Sequence, residues 1–451
     1  MKKSEFKRAM CCGLGRCAIE LSISVNIKKY KDIVLWGCLH NLSYDKIFEG
    51  TRAYYVYKLT EFFHDEMFFL HPIVEKFSVL SVASDSDIFA HYCELLCCFA
   101  ENGSYLAERQ LKEQYNRFYD FLVNNSEGKT WKKAAKNFEY MSIWLNSIYG
   151  YSFFCKTCKD MGKLLLCKKE ADFSWFYYNG ESKFGKKRVQ TFLKKKSVKE
   201  NEYAVFYNRV RLENKKENKH VKEETAAKLI EKVRKGADSL QDRFRLRYTK
   251  NSQQSNFLAE MISSTNDENR KAELLQCFCE DCPIKSENLI HYYEKGNRAL
   301  KREALRIVSE RHEDGLREFA LGVLQEDKGN SKAVRLLLNN YLPGDEKILL
   351  CALKKLKVDY KNSDNWHDAY SAVLVADLKK IPVPKEVYYY IYENSLCSFC
   401  RGSALRLLAR KRWLTEDILN ECPYDSYYEI RSWAEKKINR QSDKIAKTDS
   451  Y

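Results

Sequence analysis

The stretch Ser395–Trp413, SLCSFCRGSALRLLARKRW, decides between two readings of the chain. Cys397 and Cys400 form a C-x-x-C pair, a spacing used by metal and redox sites. The same residues also open a run in which Arg401, Ala404 and Leu408 stand three and then four positions apart, which places them on one face of a helix. A zinc centre would need two further ligands. Cys422 is at hand, but the nearest histidine, His367, lies far upstream of Cys397. A redox pair normally follows a strand in a βαβ unit, and no such pattern precedes this one. The stretch therefore reads as the start of a helix carrying structural thiols, with no metal and no cofactor expected.

The template of that helix recurs. Arg317-x-x-Ala320-x-x-x-Leu324 and Arg431-x-x-Ala434-x-x-x-Ile438 repeat it, Lys301-x-x-Ala304-x-x-x-Val308 is a conservative version, and Arg52-x-x-Tyr55-x-x-x-Leu59 a looser one. The alanine lets two helices approach closely, the aliphatic residue a turn later fills the space between them, and the cation sits at the helix start. Around these matches the helical period is strong. Leu316, Phe319, Ala320, Val323 and Leu324 form one apolar stripe, Val334, Leu337, Leu338 and Tyr341 a second, and Leu349, Ala352, Leu353 and Leu356 a third.

Composition agrees with helices. Of 451 residues only 6 are proline, none between Pro72 and Pro283, and 17 are glycine; both residue types break or weaken helix interiors. The 17 cysteines are an odd number, and several lie inside apolar helical runs such as Cys93–Ala100, CELLCCFA. That placement suits buried thiols more than a secreted disulfide framework. The N-terminal segment is broken by Glu5, Lys7, Arg8 and Arg16 and does not read as a signal peptide. No apolar run approaches the length of a membrane span, so none is expected. A reducing cytoplasm is the expected setting.

The segments DSYYEIRSWAEKKI (Asp425–Ile438) and EDGLREFALGVL (Glu313–Leu324) resemble the second helix of a HEAT-type repeat. The resemblance is good from about position 292 to the C-terminus and loose over positions 1–125, and the stretch between shows no repeat. It implies an all-α helical-repeat solenoid with a less regular, basic helical middle. It also implies that an aspartate and an arginine tie neighbouring repeats together, here Asp314 with Arg317 and Asp425 with Arg431. The expected regions are 1–125, helical; 126–251, basic and aromatic-rich; and 252–451, HEAT-like. The first boundary rests on NNSEGKT (Asn124–Thr130), the second on the polar stretch around Ser252.

The formal charge of +16 is unevenly spread. Lys183–Lys250 holds 22 Lys and Arg against 9 Asp and Glu, a local +13. Its cations are interleaved with aromatic residues. The expected binding residues are Lys186, Lys187, Arg188, Lys194, Lys195, Lys196, Arg209, Arg211, Arg243, Arg245 and Arg247, with Tyr203, Phe206 and Tyr207 among them. Cations neutralise phosphates and aromatic faces stack on bases. An acidic protein would satisfy the same charges, and a plain solvated face is the bland alternative.

Catalytic motifs are absent. The 8 histidines fall singly, with no H-E-x-x-H, G-x-S-x-G or phosphate-binding glycine loop, and GLG at Gly13–Gly15 is too short to be one. Cys277, Cys279 and Cys282 with His291, and Cys155, Cys158 and Cys167, are further thiol groups read as structural. The expectation is a non-catalytic scaffold that binds an extended partner, either a protein or DNA or RNA. Its rival is an enzyme resembling DNA-alkylation-repair glycosylases, with Trp36, Trp175 and Asp172 as the groups that would have to converge.

Overall fold

Scarce proline and one-sided apolar stripes leave the backbone little choice but helix. A computed structural model describes residues 1–167, 171–216, 225–326, 329–360 and 363–448. Among these residues there is no strand, and twenty-five α-helices follow one another. In chain order they are α1 (Lys3–Cys12), α2 (Arg16–Ile23), α3 (Lys31–Cys38), α4 (Ala53–Thr60), α5 (Glu66–Ser78), α6 (Ser86–Glu101), α7 (Tyr105–Asn124) and α8 (Lys129–Cys167). Next come α9 (Ser174–Phe184), α10 (Lys186–Ser197), α11 (Asn201–Lys216), α12 (Ala226–Arg234), α13 (Leu240–Thr249), α14 (Ser252–Ser264), α15 (Glu268–Leu275) and α16 (Ser286–Lys295). The rest are α17 (Arg298–Val308), α18 (Leu316–Glu326), α19 (Ser331–Asn339), α20 (Glu346–Lys355), α21 (Ser363–Ala376), α22 (Lys385–Asn394), α23 (Ser398–Arg410), α24 (Glu416–Glu421) and α25 (Tyr428–Thr448). No helix of the described residues is long and apolar enough to cross a membrane.

The chain forms two compact units. One holds Met1–His220, Leu396–Ser398 and Thr415–Tyr451, the other Val221–Ser395 and Phe399–Leu414. This differs from the three regions suggested by composition, and α8 is the physical reason. It is broken at Gly150, whose φ of +69° and ψ of −155° are not helical, and it packs on α6 and α7 before the first expected boundary and on α9 and α11 after it. Trp131, Phe138, Leu145, Phe154, Cys158 and Met161 are buried along its length. The segment around residue 125 is only a turn between helices of one core. Likewise Asn251, near the other expected boundary, accepts the Gln254 N–H at 2.9 Å and caps α14 within its unit.

The first unit joins the two ends of the chain. The Arg16 guanidinium makes two bonds to the Glu421 carboxylate, at 2.8 and 2.9 Å. The Ser426 N–H donates to the Gly13 carbonyl at 2.8 Å, and the Tyr55 hydroxyl donates to the Leu14 carbonyl at 2.8 Å. Gly13 has φ +77°, a left-handed conformation suited to glycine. A Cβ on Gly15 would lie 1.8 Å from the Glu421 carbonyl oxygen. The GLG triplet is thus a site of close backbone approach. Beside it, the buried Arg52 donates to the Cys11 and Leu396 carbonyls and to Glu49.

In the second unit α17 packs on α15 and α19, and α19 on α17 and α21, while α16, α18 and α20 lie against α17, α19 and α21 in turn. The starts of α15, α17 and α19 are capped by Asp267, Asn297 and Asn330, at nearly even intervals along the chain. Polar ties follow the same interval. Arg306 donates to the Leu275 and Phe278 carbonyls, 31 and 28 residues back. Asn339 donates to the Ser309 carbonyl, 30 residues back, and Arg335 to Asp368, 33 ahead.

The template alanines Ala304, Ala320, Ala404 and Ala434 are all fully buried, as close helix contacts require. The expected aspartate–arginine ties are drawn differently. Arg317 pairs with Asp345, at 2.6 and 3.1 Å, and not with Asp314. Arg431 donates to the Asp425 and Ser426 carbonyl oxygens, at 2.7 and 2.9 Å. The template also falls on consecutive helices, with Lys301 on α17 and Arg317 on α18. It marks a helix start, whereas the nearly even interval along the second unit is followed by the caps of α15, α17 and α19.

Replacing Gly15 by Ala forces the Glu421 backbone away and should lower stability by about 1–3 kcal/mol, the usual cost of overpacking. Gly322→Ala is the control: it lies exposed within α18 with nothing inside 4 Å of the added carbon, and should raise stability by about 0.5–1 kcal/mol. Urea midpoints of the two variants test this, and an unshifted Gly15→Ala midpoint would refute the close approach.

Candidate nucleic-acid interface

Eight of the eleven expected binding residues lie in the first unit and three, on α13, in the second. The densest group is on α10, whose sequence KKRVQTFLKKKS sets apolar residues at 189, 192 and 193. Val189 and Leu193 are fully buried, so the cations must point the other way. Gly185, at φ +91°, turns the chain from α9 into α10. Beneath it an aromatic cluster fixes the helix. Tyr151 contacts Phe184 and Phe192 with ring centroids at 5.4 and 6.0 Å, and Phe154 stacks on Phe176 at 5.0 Å. Gly180 admits the Phe154 ring, because a Cβ there would lie 2.1 Å from it.

The cations divide into engaged and unengaged. Arg188 is exposed but lies over the Tyr151 ring, 4.0 Å from its centroid. Lys196 pairs with Glu200 at 2.7 Å, and the other oxygen of that carboxylate takes Lys159, also at 2.7 Å. Bonds from Lys159 and Lys196 hold the Glu200 carboxyl down at about 2. Arg209 donates to the Ala171 carbonyl, and Arg211 lies over Tyr207. On α13, Arg243 pairs with the buried Asp238 at 2.6 Å and Arg247 donates to the Gln276 carbonyl, leaving Arg245 exposed. By contrast Lys186, Lys187, Lys194 and Lys195 are all exposed, and none pairs with a carboxylate among the described residues. Lys199, passed over because it stands outside the cation runs, shares both properties.

The aromatic residues expected to stack on bases are mostly spent in the core. Phe176, Tyr177, Tyr203, Phe206 and Tyr207 are all buried, so the apolar members of the interleaved pattern hold the helices together. The exposed residues of α10 offer charge without ring faces, which favours contact to a phosphate backbone over reading of bases there, whereas Trp175, Phe244 and Tyr248 keep exposed rings elsewhere in the chain. Trp36 lies against Lys7 and His40, whereas Trp175 lies against Tyr140. Asp172 accepts the Ser174 N–H at 2.9 Å, at the start of α9. The groups named for a glycosylase centre thus have separate neighbours and local structural roles. Of the thiols, Cys158, Cys277 and Cys282 are buried. Among the described residues neither the 155–167 nor the 277–291 group gathers three metal-ligating atoms.

Comparison with protein-family models, curated proteins and solved structures finds no match to this chain.

A buried carboxylate supports the platform. Glu139 of α8 accepts the Phe176 N–H at 2.8 Å and so ties α8 to the first turn of α9. Burial pushes its pKa up to about 8, against the opposing backbone bonds. A folded-state value above the ordinary one means the native protein retains a proton that the unfolded chain loses. The stability this contributes is complete below about pH 4.5 and is lost as pH rises through 8. Glu94, which burial raises to about 7, acts with the same sign. His91, which burial lowers to about 4, acts oppositely, but only below its ordinary value of 6.5. Between pH 6.5 and 8 the unfolding midpoint should therefore fall, and Glu139→Gln should flatten part of that fall. An unchanged slope in Glu139→Gln, measured by thermal melts across this window, would show that the carboxyl does not hold its proton.

Proposed function

We propose that this chain is a non-catalytic helical-repeat scaffold whose α10 surface binds the backbone of a nucleic acid. One observation carries the reading: Lys186, Lys187, Lys194 and Lys195 project from a helix whose other face is buried, with no carboxylate among the described residues to neutralise them. The helix rises about 10.5 Å from Lys187 to Lys194, which is about three nucleotides at a rise of roughly 3.4 Å per strand. The burial of the nearby rings argues for a contact that is indifferent to base sequence.

The scaffold part rests on the second unit. Helices stacked in alternation, with evenly placed caps and polar ties spanning 28–33 residues, support an α-solenoid whose pairs each contact only their neighbours. The interval is shorter than the roughly 40–47 residues of HEAT repeats. The HEAT resemblance is accordingly confined to the arginine–alanine template, and the proposal is for a helix-pair solenoid in the broader sense.

The test is binding of the full chain to labelled duplex and single-stranded DNA and RNA between about 50 and 200 mM salt. Four phosphate contacts give a log–log slope near −3.6 on duplex DNA, about a hundredfold loss over that range. Replacing the four lysines by Ala should abolish most of the slope. Lys332→Ala, which removes a lysine paired with Asp368, should leave it unchanged. Absence of binding at the lowest salt, or a slope untouched by the fourfold variant, overturns the proposal.

A further inference from the structure

Within the second unit, α13 carries a row of uncovered apolar side chains. Leu240, Phe244 and Tyr248 stand four positions apart on the helix, so they share one side of it. Their exposures are 52%, 43% and 78%. Gln241, Arg245 and Thr249 beside them are exposed as well, so this whole side of α13 is open. The opposite side holds the helix in place. Leu246 is fully buried and Asp242 nearly so. Asp242 accepts the Ser239 N–H at 2.9 Å and closes the cap of the helix. Arg243 donates to the Gln276 side chain at 3.0 Å and Arg247 to the Gln276 carbonyl, which fixes the rotation of α13.

Single apolar residues at a surface are ordinary, but this row is flanked by cations on both edges. At about 100° per residue, Arg247 falls beside Leu240 and Phe244, and Arg245 falls beyond Tyr248. Arg247 lies over one face of the Phe244 ring, 4.1 Å from its centroid. Arg245 is exposed and pairs with no carboxylate among the described residues. The neighbouring acids are withdrawn from the surface: Asp238 is taken by Arg243 and Arg270, and Asp242 by its cap and by Lys232. The open side of α13 is thus positive and ring-bearing, and suits a polyanion with flat apolar groups.

Ring spacing narrows the choice. Phe244 and Tyr248 are separated by about 6 Å along the helix, whereas successive nucleotides of a stacked strand rise roughly 3.4 Å. A strand can lay one base on each ring only if its bases are drawn apart, and a duplex does not offer their faces. The row is also short. Three side chains fall far below the roughly 20–30 residues a side of a stable protein interface, but one ring is enough for one base.

We propose that α13 is a stacking platform for single-stranded nucleic acid, on which Phe244 and Tyr248 each take the face of an unpaired base while Arg245 meets an adjoining phosphate. Stacking of this kind tolerates any base. The contact differs from the one proposed for α10 of the first unit, which needs only a backbone, and neither depends on the other.

The experiment uses the full chain and four labelled probes at about 50 mM salt: oligo(dT), oligo(U), an abasic deoxyribose-phosphate strand and a duplex, all of one length. Oligo(dT) or oligo(U) should bind more tightly than the abasic strand, and whichever does so identifies the sugar that the platform accepts. Phe244→Leu with Tyr248→Ala should weaken binding of that strand by about fivefold or more, and leave the abasic strand and the duplex unchanged. The fourfold lysine variant of α10 should weaken all four probes together, so failure of the backbone contact is read separately. A second readout needs no variant: irradiation of the wild-type chain with a 5-iodouracil oligonucleotide should attach it to Phe244 or Tyr248. Equal affinity for the abasic strand and both base-bearing strands overturns the platform and leaves the row to a protein partner. A base preference untouched by the double variant, or crosslinks only outside α13, also overturns it.

Discussion

The close approach of Gly13–Arg16 to Glu421–Ser426 is the constraint on which the first unit depends. It brings the final helices of the chain back to the opening ones, and it works because two positions carry no side chain. Gly13 adopts a left-handed φ and Gly15 lies where any Cβ would strike a carbonyl oxygen. The Arg16–Glu421 pair then has to hold this geometry. Its Glu421 side chain is almost fully buried while Arg16 keeps partial access to water. Bidentate geometry compensates part of the cost of desolvating the carboxylate. A glycine triplet that resembles the beginning of a phosphate loop is therefore a packing device.

The same accounting of charges separates paired from unpaired basicity. In the second unit several arginines are consumed: Arg306 by carbonyls and Glu303, Arg317 by Asp345, Arg335 by Glu310 and Asp368, and Arg270 by Asp238 and Glu273. Arginine suits this work because its planar fork reaches two acceptors at once. On α10 the cations are mostly lysines, and four of them meet no carboxylate among the described residues. Net charge alone does not distinguish these cases; partnership does. The positive field that would steer a polyanion comes from the unpaired set.

Much of the fold was legible in the sequence because helical period and the absence of proline are local properties. The alanines of the repeated template are buried for the same reason. The division into units was hidden because α8, which begins at an expected boundary and breaks at Gly150, packs on helices from either side of that boundary, and composition does not report what a helix packs on. In the basic stretch, alternation of cations with aromatic residues was legible. Its meaning was not, since Tyr203, Phe206 and Tyr207 have the same letters whether they stack on bases or fill a core. Glu139 and Glu200 escaped notice because burial and pairing are tertiary facts.

The ties of the second unit show how a regular interval changes the reading of distance. In an irregular chain two residues some thirty positions apart have no reason to meet, because loop closure does not bring them together. Where helices pack at a nearly even interval, positions about one interval apart become neighbours, as the ties spanning 28–33 residues show. The partner of a side chain in such a segment should therefore be sought one interval away and not beside it in sequence. Applied to Arg335, that rule leads one interval ahead to Asp368, and applied to Arg306 it leads one interval back to the Leu275 and Phe278 carbonyls.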